Sequence, residues 1–126
     1  MINFGDVFFC EKVIQSPTGS LCKIINRFYR LQVQSYPYLF RSTLVINFTY
    51  DEALNCALAI RFKNSNGLII FHSALRSIHC NEPIMPVREA DLIIEFLEIR
   101  IPKPGNYTVE ILLNNIVEHV EHLSLA

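Results

Sequence analysis

Apolar and polar residues alternate along most of this chain, which is the pattern of β-strands with one face in solvent. In Thr43–Tyr50 the apolar face consists of Leu44, Ile46, Phe48 and Tyr50. Thr43, Val45, Asn47 and Thr49 share the opposite face, and residues 56–63 alternate in the same way. Because successive side chains of a strand point to opposite faces, both segments are predicted to be antiparallel strands.

Turn-forming residues separate the predicted strands. Asn64-Ser65-Asn66-Gly67 joins 56–63 to a partner strand at 68–72, which predicts a hairpin. Pro102–Asn106 separates alternating residues 97–101 from a strand at 107–113. Asn114-Asn115 then fits the two positive-φ positions of a tight turn before residues 116–125.

Two segments also carry apolar residues at helical spacing. Residues 21–33 do so, but their β-branched and aromatic side chains favour a strand. Ile116, Val120 and Leu123 are spaced as on a helix, whereas the preceding Asn pair and the short length favour a strand. We predict strands in both places, and a helix stays the alternative for 116–125.

The remaining pattern completes an all-β chain. Residues 7–14 form a further strand, followed by a turn at Ser16-Pro17-Thr18-Gly19. No repeat, linker or shift in composition divides residues 1–126. About seven short strands between turns predict a single domain with the fold of an antiparallel two-sheet sandwich, immunoglobulin-like in architecture.

Some of these turns resemble turns found in known protein families. Pro102–Tyr107 resembles the turn entering the penultimate strand of immunoglobulin-like sandwiches, where a Tyr packs at a corner. Together with Cys10, Tyr36-Pro37 and Asn66-Gly67, it resembles a bacterial family of uncharacterised single-domain proteins of similar length. The resemblance implies a β-sandwich. It implies no activity, because that family has none assigned.

Composition restricts the class of protein further. The chain has 126 residues, 51% of them hydrophobic, and a net charge of −1, which excludes a disordered protein. No apolar run approaches the ~20 residues of a membrane helix, and Met1–Asp6 does not resemble a secretory signal. We therefore expect a cytoplasmic protein without membrane contact. Its cysteines, which form no CxxC pair, are expected to be free thiols: Cys10, Cys22, Cys56 and Cys80.

Motifs of catalysis and of cofactor binding are missing from the sequence. It contains no glycine-rich phosphate loop, no HExxH motif and no nucleophile elbow. His119 and His122 would share a face on a helix, but on a strand their odd spacing sends them to opposite faces. We expect no enzyme, no cofactor and no metal site.

Candidate binding residues occur in two segments and at Ile93. Aromatic and Arg side chains alternate between 27 and 41, a composition found at protein interfaces and on single-stranded nucleic-acid platforms. Residues 72–91 concentrate reactive side chains, and Pro83 and Pro86 predict irregular backbone there. The candidate partner-binding residues are Tyr36, Tyr38, Arg41, Arg76, His79, Arg88 and Ile93.

Excess apolar surface favours a protein-interaction module over the other functions. Residues 67–71 and 92–97 are apolar on both faces, which a strand lying against water should not be. Either a loop of the same chain or another subunit should cover this surface. We expect a homodimer, with Ile93 pointing outward and Leu92, Ile94 and Phe96 in the core. The alternative is a small-ligand or nucleic-acid binding domain that uses residues 27–41. A sequence pI near 6.4 makes nucleic acid the weaker of these partners.

Overall fold

Two β-sheets packed face to face make up the architecture. The computed structural model describes residues 2–15, 17, 21–84 and 88–126, without the side chains of residues 21, 22 and 96–98. This described part contains ten strands and no helix. The predicted all-β sandwich is therefore confirmed.

The first sheet has the strand order β2-β1-β4-β8, and every neighbouring pair is antiparallel. Its strands are β1 (Ile2–Gln15), β2 (Leu21–Phe28), β4 (Tyr38–Tyr50) and β8 (Arg88–Ile101).

The second sheet has the order β3-β10-β9-β5-β6, and β7 also pairs with β5. Its strands are β3 (Arg30–Leu31), β5 (Leu54–Lys63), β6 (Ile69–His72), β7 (Arg76–Cys80), β9 (Gly105–Leu113) and β10 (Ile116–Leu125). The short pairing of β3 with β10 is parallel, and the other pairings are antiparallel.

The main core lies between the sheets and follows the predicted alternation. The predicted apolar face of β4 is 6% exposed or less throughout. Phe9 and Phe40 of the first sheet meet Phe62 of the second, with ring centroids 5.7–6.1 Å apart. Tilted and edge-to-face ring pairs of this kind stabilise a core by roughly 0.5–1.5 kcal/mol each beyond the burial of their area. Leu92 and Ile94 pack against this core, as predicted.

A second apolar cluster lies on the outer face of the first sheet. Phe8, Cys10 and Val45 are at most 8% exposed there, and Val13 and Ile93 pack against them. Ile93 thus points away from the main core, as the sequence predicts.

The β1–β2 hairpin of the same chain covers this outer face. The β1–β4 pairing ends at Cys10 and Thr43, while β1 continues with β2 as a hairpin whose Val13 packs on the cluster. The Arg27 guanidinium lies 4.2 Å from the centroid of the Phe8 ring. The apolar character of both faces of the sheet therefore does not need a second copy to explain it.

The strand count exceeds the expected seven, in part because one predicted strand is interrupted and because β7 forms where no strand is predicted. Residues 21–33 form β2 and β3 on different sheets, separated at Tyr29. Two short strands, β6 and β7, pair one after the other with the same edge of β5, and the pairing is interrupted after His72. At this break Ser73 N donates to Ile60 O, and Ser73 Oγ accepts a hydrogen bond from Ile60 N.

The irregular backbone predicted for 72–91 is found only in part. His72 ends β6, Arg76–Cys80 forms β7, and Arg88 already begins β8, while residues 73–75 and 81–84 lie outside the strands. Most of the reactive side chains there lie on regular strands, because their backbone pairs with β5 and β4, but Glu82 does not. Pro83 lies outside the strands, as expected, and Pro86 is outside the described residues.

The predicted turns carry the expected backbone. Asn114 and Asn115 have φ of 50° and 65°, and the hairpin residue Gly67 has φ of 82°. The strand at 116–125 that follows the Asn pair is confirmed over the helix. At the Pro-Gly turn, Tyr107 is 2% exposed and its Oη donates to Lys103 O, the arrangement of a tyrosine corner.

For three of the four cysteines, the structure tests the expectation of free thiols. Cys10 is buried, Cys56 and Cys80 are half-buried, and all three are free. Burial raises the pKa of the Cys10 and Cys56 thiols, which makes them less reactive. The side chain of Cys22 is outside the described residues.

One carboxylate is buried on the outer face of the second sheet. Glu110 is 8% exposed, and its Oε1 lies 2.7 Å from Arg61 Nε and 3.3 Å from Lys63 Nζ. Burial acts to raise the pKa of Glu110, but the hydrogen bonds and charges of Arg61 and Lys63 outweigh it and hold that pKa below its usual value. The ionised form therefore stabilises the fold.

We predict that Glu110→Gln lowers the free energy of unfolding by about 1–3 kcal/mol at pH 7, since it leaves two cations without their carboxylate. Because the folded pKa is depressed, this stabilisation is present above the unfolded value of about 4.3 and is lost as pH falls through the folded pKa. Urea unfolding at pH 7 and pH 3 measures both effects, with the exposed Glu82→Gln as control. A difference from wild type that persists unchanged at pH 3 would contradict the charge argument.

Gly105→Val is expected to destabilise the fold by roughly 1–3 kcal/mol. Gly105 has φ of 156° with nothing within 4 Å of a built Cβ, so the strain comes from the backbone conformation and not from a clash. Urea midpoints provide the measurement. The matched control is Asn106→Val, at the next and exposed position, which should change stability by less than about 0.5 kcal/mol. Equal midpoints for the two variants would show that Gly105 tolerates a side chain.

Candidate interaction surface

The outer edge of β10 is open along most of its length. β9 pairs with β10 from Ile116 to Leu125, but on the other side β3 pairs only with Ser124 and Leu125. No other strand of the described residues hydrogen-bonds to β10, although β1 lies close to it and the Phe4 ring contacts His119. Unpaired N–H and C=O groups of an edge strand are a template for another strand, so this edge can bind one.

Apolar side chains accompany this open backbone. Ile116 is 61% exposed, Val117 39% and Val120 41%. Val117 lies opposite Leu112 and Val120 opposite Glu110, and a β-bulge between Val117 and His119 lets both point away from the main core. A strand edge that is both unpaired and apolar favours association with another chain.

Polar residues flank Val120 on β10, with Glu118 and His119 before it and Glu121 and His122 after it. His119 lies opposite Ile111 and its ring contacts that of Phe4 at 5.4 Å, while His122 lies opposite Thr108. The two histidines therefore occupy opposite faces, as predicted. His119 Nε2 lies 2.8 Å from Glu121 Oε1, and Glu118 and His122 are exposed.

A cavity adjoins the end of the open edge where β3 begins. It measures about 800 Å³, and its lining includes Tyr29, Arg30, Asn106, His122 and Ser124. Tyr29 is 68% exposed, and the Arg30 guanidinium lies 5.5 Å from the centroid of its ring. The cavity therefore offers an aromatic wall beside hydrogen-bonding groups.

The edge of β8 is a second open edge, and it is acidic. β4 is the only strand of the described residues that pairs with β8. Glu89, Asp91 and Glu95 are exposed on β8. Asn47 Nδ2 of β4 donates to Glu89 Oε1 at 2.8 Å and to Asp91 Oδ1 at 2.9 Å. Charged side chains on an edge strand act against pairing with another strand.

The predicted aromatic residues face the core more than the solvent. Tyr36 and Tyr38 are half-buried and pack against the main core, and Tyr36 Oη donates to Ala126 O at 3.2 Å. The peptide bond between Tyr36 and Pro37 is cis. Arg41 is exposed on β4. Whether these residues bind a partner stays a prediction.

The structure does not unite all seven candidate residues in one site. Arg76 and Ile93 line a cleft of about 450 Å³ together with Gln15 and two acidic residues of β8. Arg88 pairs with Tyr50 at one end of the β4–β8 ladder and Tyr38 with Ile101 at the other. His79 is exposed on β7, opposite Asn55.

The open edge of β10 is absent from the predicted site. Its sequence carries the signal of a strand, but alternation does not show which strands lie beside it. The polar run Glu118-His119-Val120-Glu121-His122 is a signal in this strand, but its histidines suggest a metal site and give no indication of an open edge. Among the described residues, no group of three or more His, Cys, Asp or Glu side chains could hold a metal ion.

Comparison with known proteins supports the fold and adds no activity. No helix of the described residues is long and apolar enough to cross a membrane. No curated protein matches the chain. Solved structures with a similar fold include the C-terminal domain of Wzt, with a TM-score of 0.55 and 10% identity over 99% of this chain and 73% of that one.

Another similar structure is the alkylpurine DNA glycosylase AlkC of Pseudomonas fluorescens, bound to DNA containing an abasic site analog. The TM-score is 0.52 and the identity 11%, over 78% of this chain and 27% of that one. At such identities these similarities show the fold alone.

One protein family matches nearly the whole sequence. The match covers residues 6–125 and so includes every strand from β2 to β10 in full. It confirms the resemblance to a family of uncharacterised small β-sandwich proteins. The chain belongs to the family of unknown function DUF6941.

Proposed function

We propose that this chain is a non-enzymatic protein-interaction domain that self-associates through the open edge of β10. The observation that carries the proposal is the coincidence, on one strand, of unpaired backbone with exposed Ile116, Val117 and Val120. Pairing of an added strand would satisfy the backbone groups, and burial of these side chains would add roughly 25 cal/mol per Å² of apolar area.

Two other surfaces support self-association less well. Ile93, the residue expected at a dimer interface, already packs in the cluster that the β1–β2 hairpin covers. The edge of β8 is open, but Glu89, Asp91 and Glu95 would repel the same residues of a second copy. On β10 each of the two acidic residues, Glu118 and Glu121, is followed by a histidine, so a carboxylate need not face a carboxylate of a second copy.

The alternative of a nucleic-acid or small-ligand site in residues 27–41 has weaker support. Arg27 is held by Asp6, through Nη1–Oδ2 and Nη2–Oδ1 distances of 2.7 and 2.9 Å, and it stacks on Phe8. Tyr36 and Tyr38 pack against the core. Exposed Tyr29 and Arg30 keep a small-ligand site at the adjoining cavity as a second candidate.

We expect wild-type protein to have the mass of a dimer in light scattering at micromolar concentration, and Val120→Lys to have that of a monomer. Lysine at position 120 would place like charges together at the centre of the edge. Because Val120 is 41% exposed in the single chain, the variant should unfold in urea at nearly the wild-type midpoint.

Leu75→Lys is the matched control, since Leu75 is 61% exposed but lies outside the strands, between β6 and β7. It should keep the dimeric mass. A monomeric wild type would refute self-association. A dimer that Val120→Lys leaves intact would place the interface elsewhere.

A further inference from the structure

We infer that two copies join β10 to β10 antiparallel, with Val120 of one copy opposite Val120 of the second. This inference rests on the proposed function and adds the register of the two strands and the residues that select it. It follows from the order of side chains on the edge and from the direction of the backbone groups there.

The polar run on β10 is self-complementary about Val120. In an antiparallel pair centred on this residue, His119 faces Glu121 of the second copy, and in sequence order Glu118 reaches the position of His122 of the second copy. Glu118 lies at the β-bulge between Val117 and His119, where the regular stretch of β10 begins. A carboxylate accepts hydrogen bonds and an imidazole N–H donates them, so each of these four pairings is favourable. The Val120 side chains meet at the centre.

Neighbouring registers lose this match. A shift by one residue in one direction sets Glu118 against Glu121, and in the other direction sets His119 against His122. Shifts by two residues place His119 or Glu121 opposite its own counterpart. Like charges directly opposite each other destabilise a pair of strands. Among these registers, only the one centred on Val120 pairs every Glu with a His.

The backbone of β10 has the direction that this register needs. Ser124 N donates to Tyr29 O and Ala126 N donates to Leu31 O, so these residues direct their N–H groups toward the open side. Backbone groups alternate along a strand, which means that His122 and Val120 also direct theirs to that side. Val120 and its counterpart can therefore exchange two N–H···O=C bonds.

β3 sets the end of the ladder. Arg30 occupies the position beside Ser124, where Ile116 of the second copy would otherwise pair. Ile116, 61% exposed in the single chain, would instead reach the cavity lined by Tyr29 and Arg30. The same contact repeats at the other end, because the arrangement has twofold symmetry. The exposed side chain of Ile116 would then pack against the Tyr29 ring.

An exchange of charged residues tests the register. His122→Glu sets Glu against Glu118 of the second copy, and Glu118→His sets His against His122, so each should raise the dimer dissociation constant about tenfold. The double variant Glu118→His/His122→Glu restores both pairs and should return the constant to within about threefold of wild type. Analytical ultracentrifugation at pH 7 measures all four proteins, and circular dichroism checks that each is folded.

Disulfide trapping provides a test that does not depend on charge. In the proposed register the Cα atoms of the two Val120 residues are about 5.5 Å apart, within the range of a disulfide. Val120→Cys should therefore form a covalent dimer under a mild oxidant. The more exposed Ile116→Cys is the control, because its two copies would be on the order of 25 Å apart. Wild type, treated identically, shows what the native cysteines contribute.

The possible results separate this inference from the proposed function. Restoration by the double variant together with trapping at 120 and not at 116 would support both. A dimeric wild type without restoration and without trapping at 120 would overturn the register and leave self-association standing. A wild type that sediments as a monomer at every concentration would overturn both.

Discussion

The crossing of the chain between the two sheets at Tyr29 determines where the sandwich stays open. β2 ends at Phe28 in the first sheet, and β3 resumes in the second sheet for only two residues. Those two residues pair with the end of β10 and leave the rest of its outer edge without a strand. Had the chain stayed beside β10 for longer, β10 would be an interior strand. The candidate interaction surface is thus a consequence of one short strand.

Three surfaces of the sandwich differ in how they limit pairing with another chain. The outer face of the first sheet is covered by the β1–β2 hairpin, so that Cys10 and Val45 are almost fully buried within one chain. The edge of β8 carries acidic side chains. β10 instead carries Glu and His around Val120. In the proposed dimer, these residues would repel a misaligned copy and accept an aligned one. Specific pairing of an edge strand needs both properties.

The family to which the chain belongs has no known function, so a functional hypothesis depends on the physical properties of this chain. The fold supports many activities, and similarity to it at 10–11% identity transfers none. The proposed dimer depends instead on side chains and backbone groups of this chain. Its two copies would extend the second sheet across the interface into one continuous sheet.

Much of the fold could be predicted from the sequence, because its causes are local. Period-two alternation predicts the buried face of β4. The Asn pair at 114–115 and the Pro-Gly turn at 105 predict positive φ, and these residues have it. The outward direction of Ile93 followed from the same alternation. What covers Ile93, and which edge lacks a neighbour, depend on strands distant in sequence. Only the tertiary structure decided those points, since side-chain alternation reports the faces of a strand and carries no information about what hydrogen-bonds to its edges.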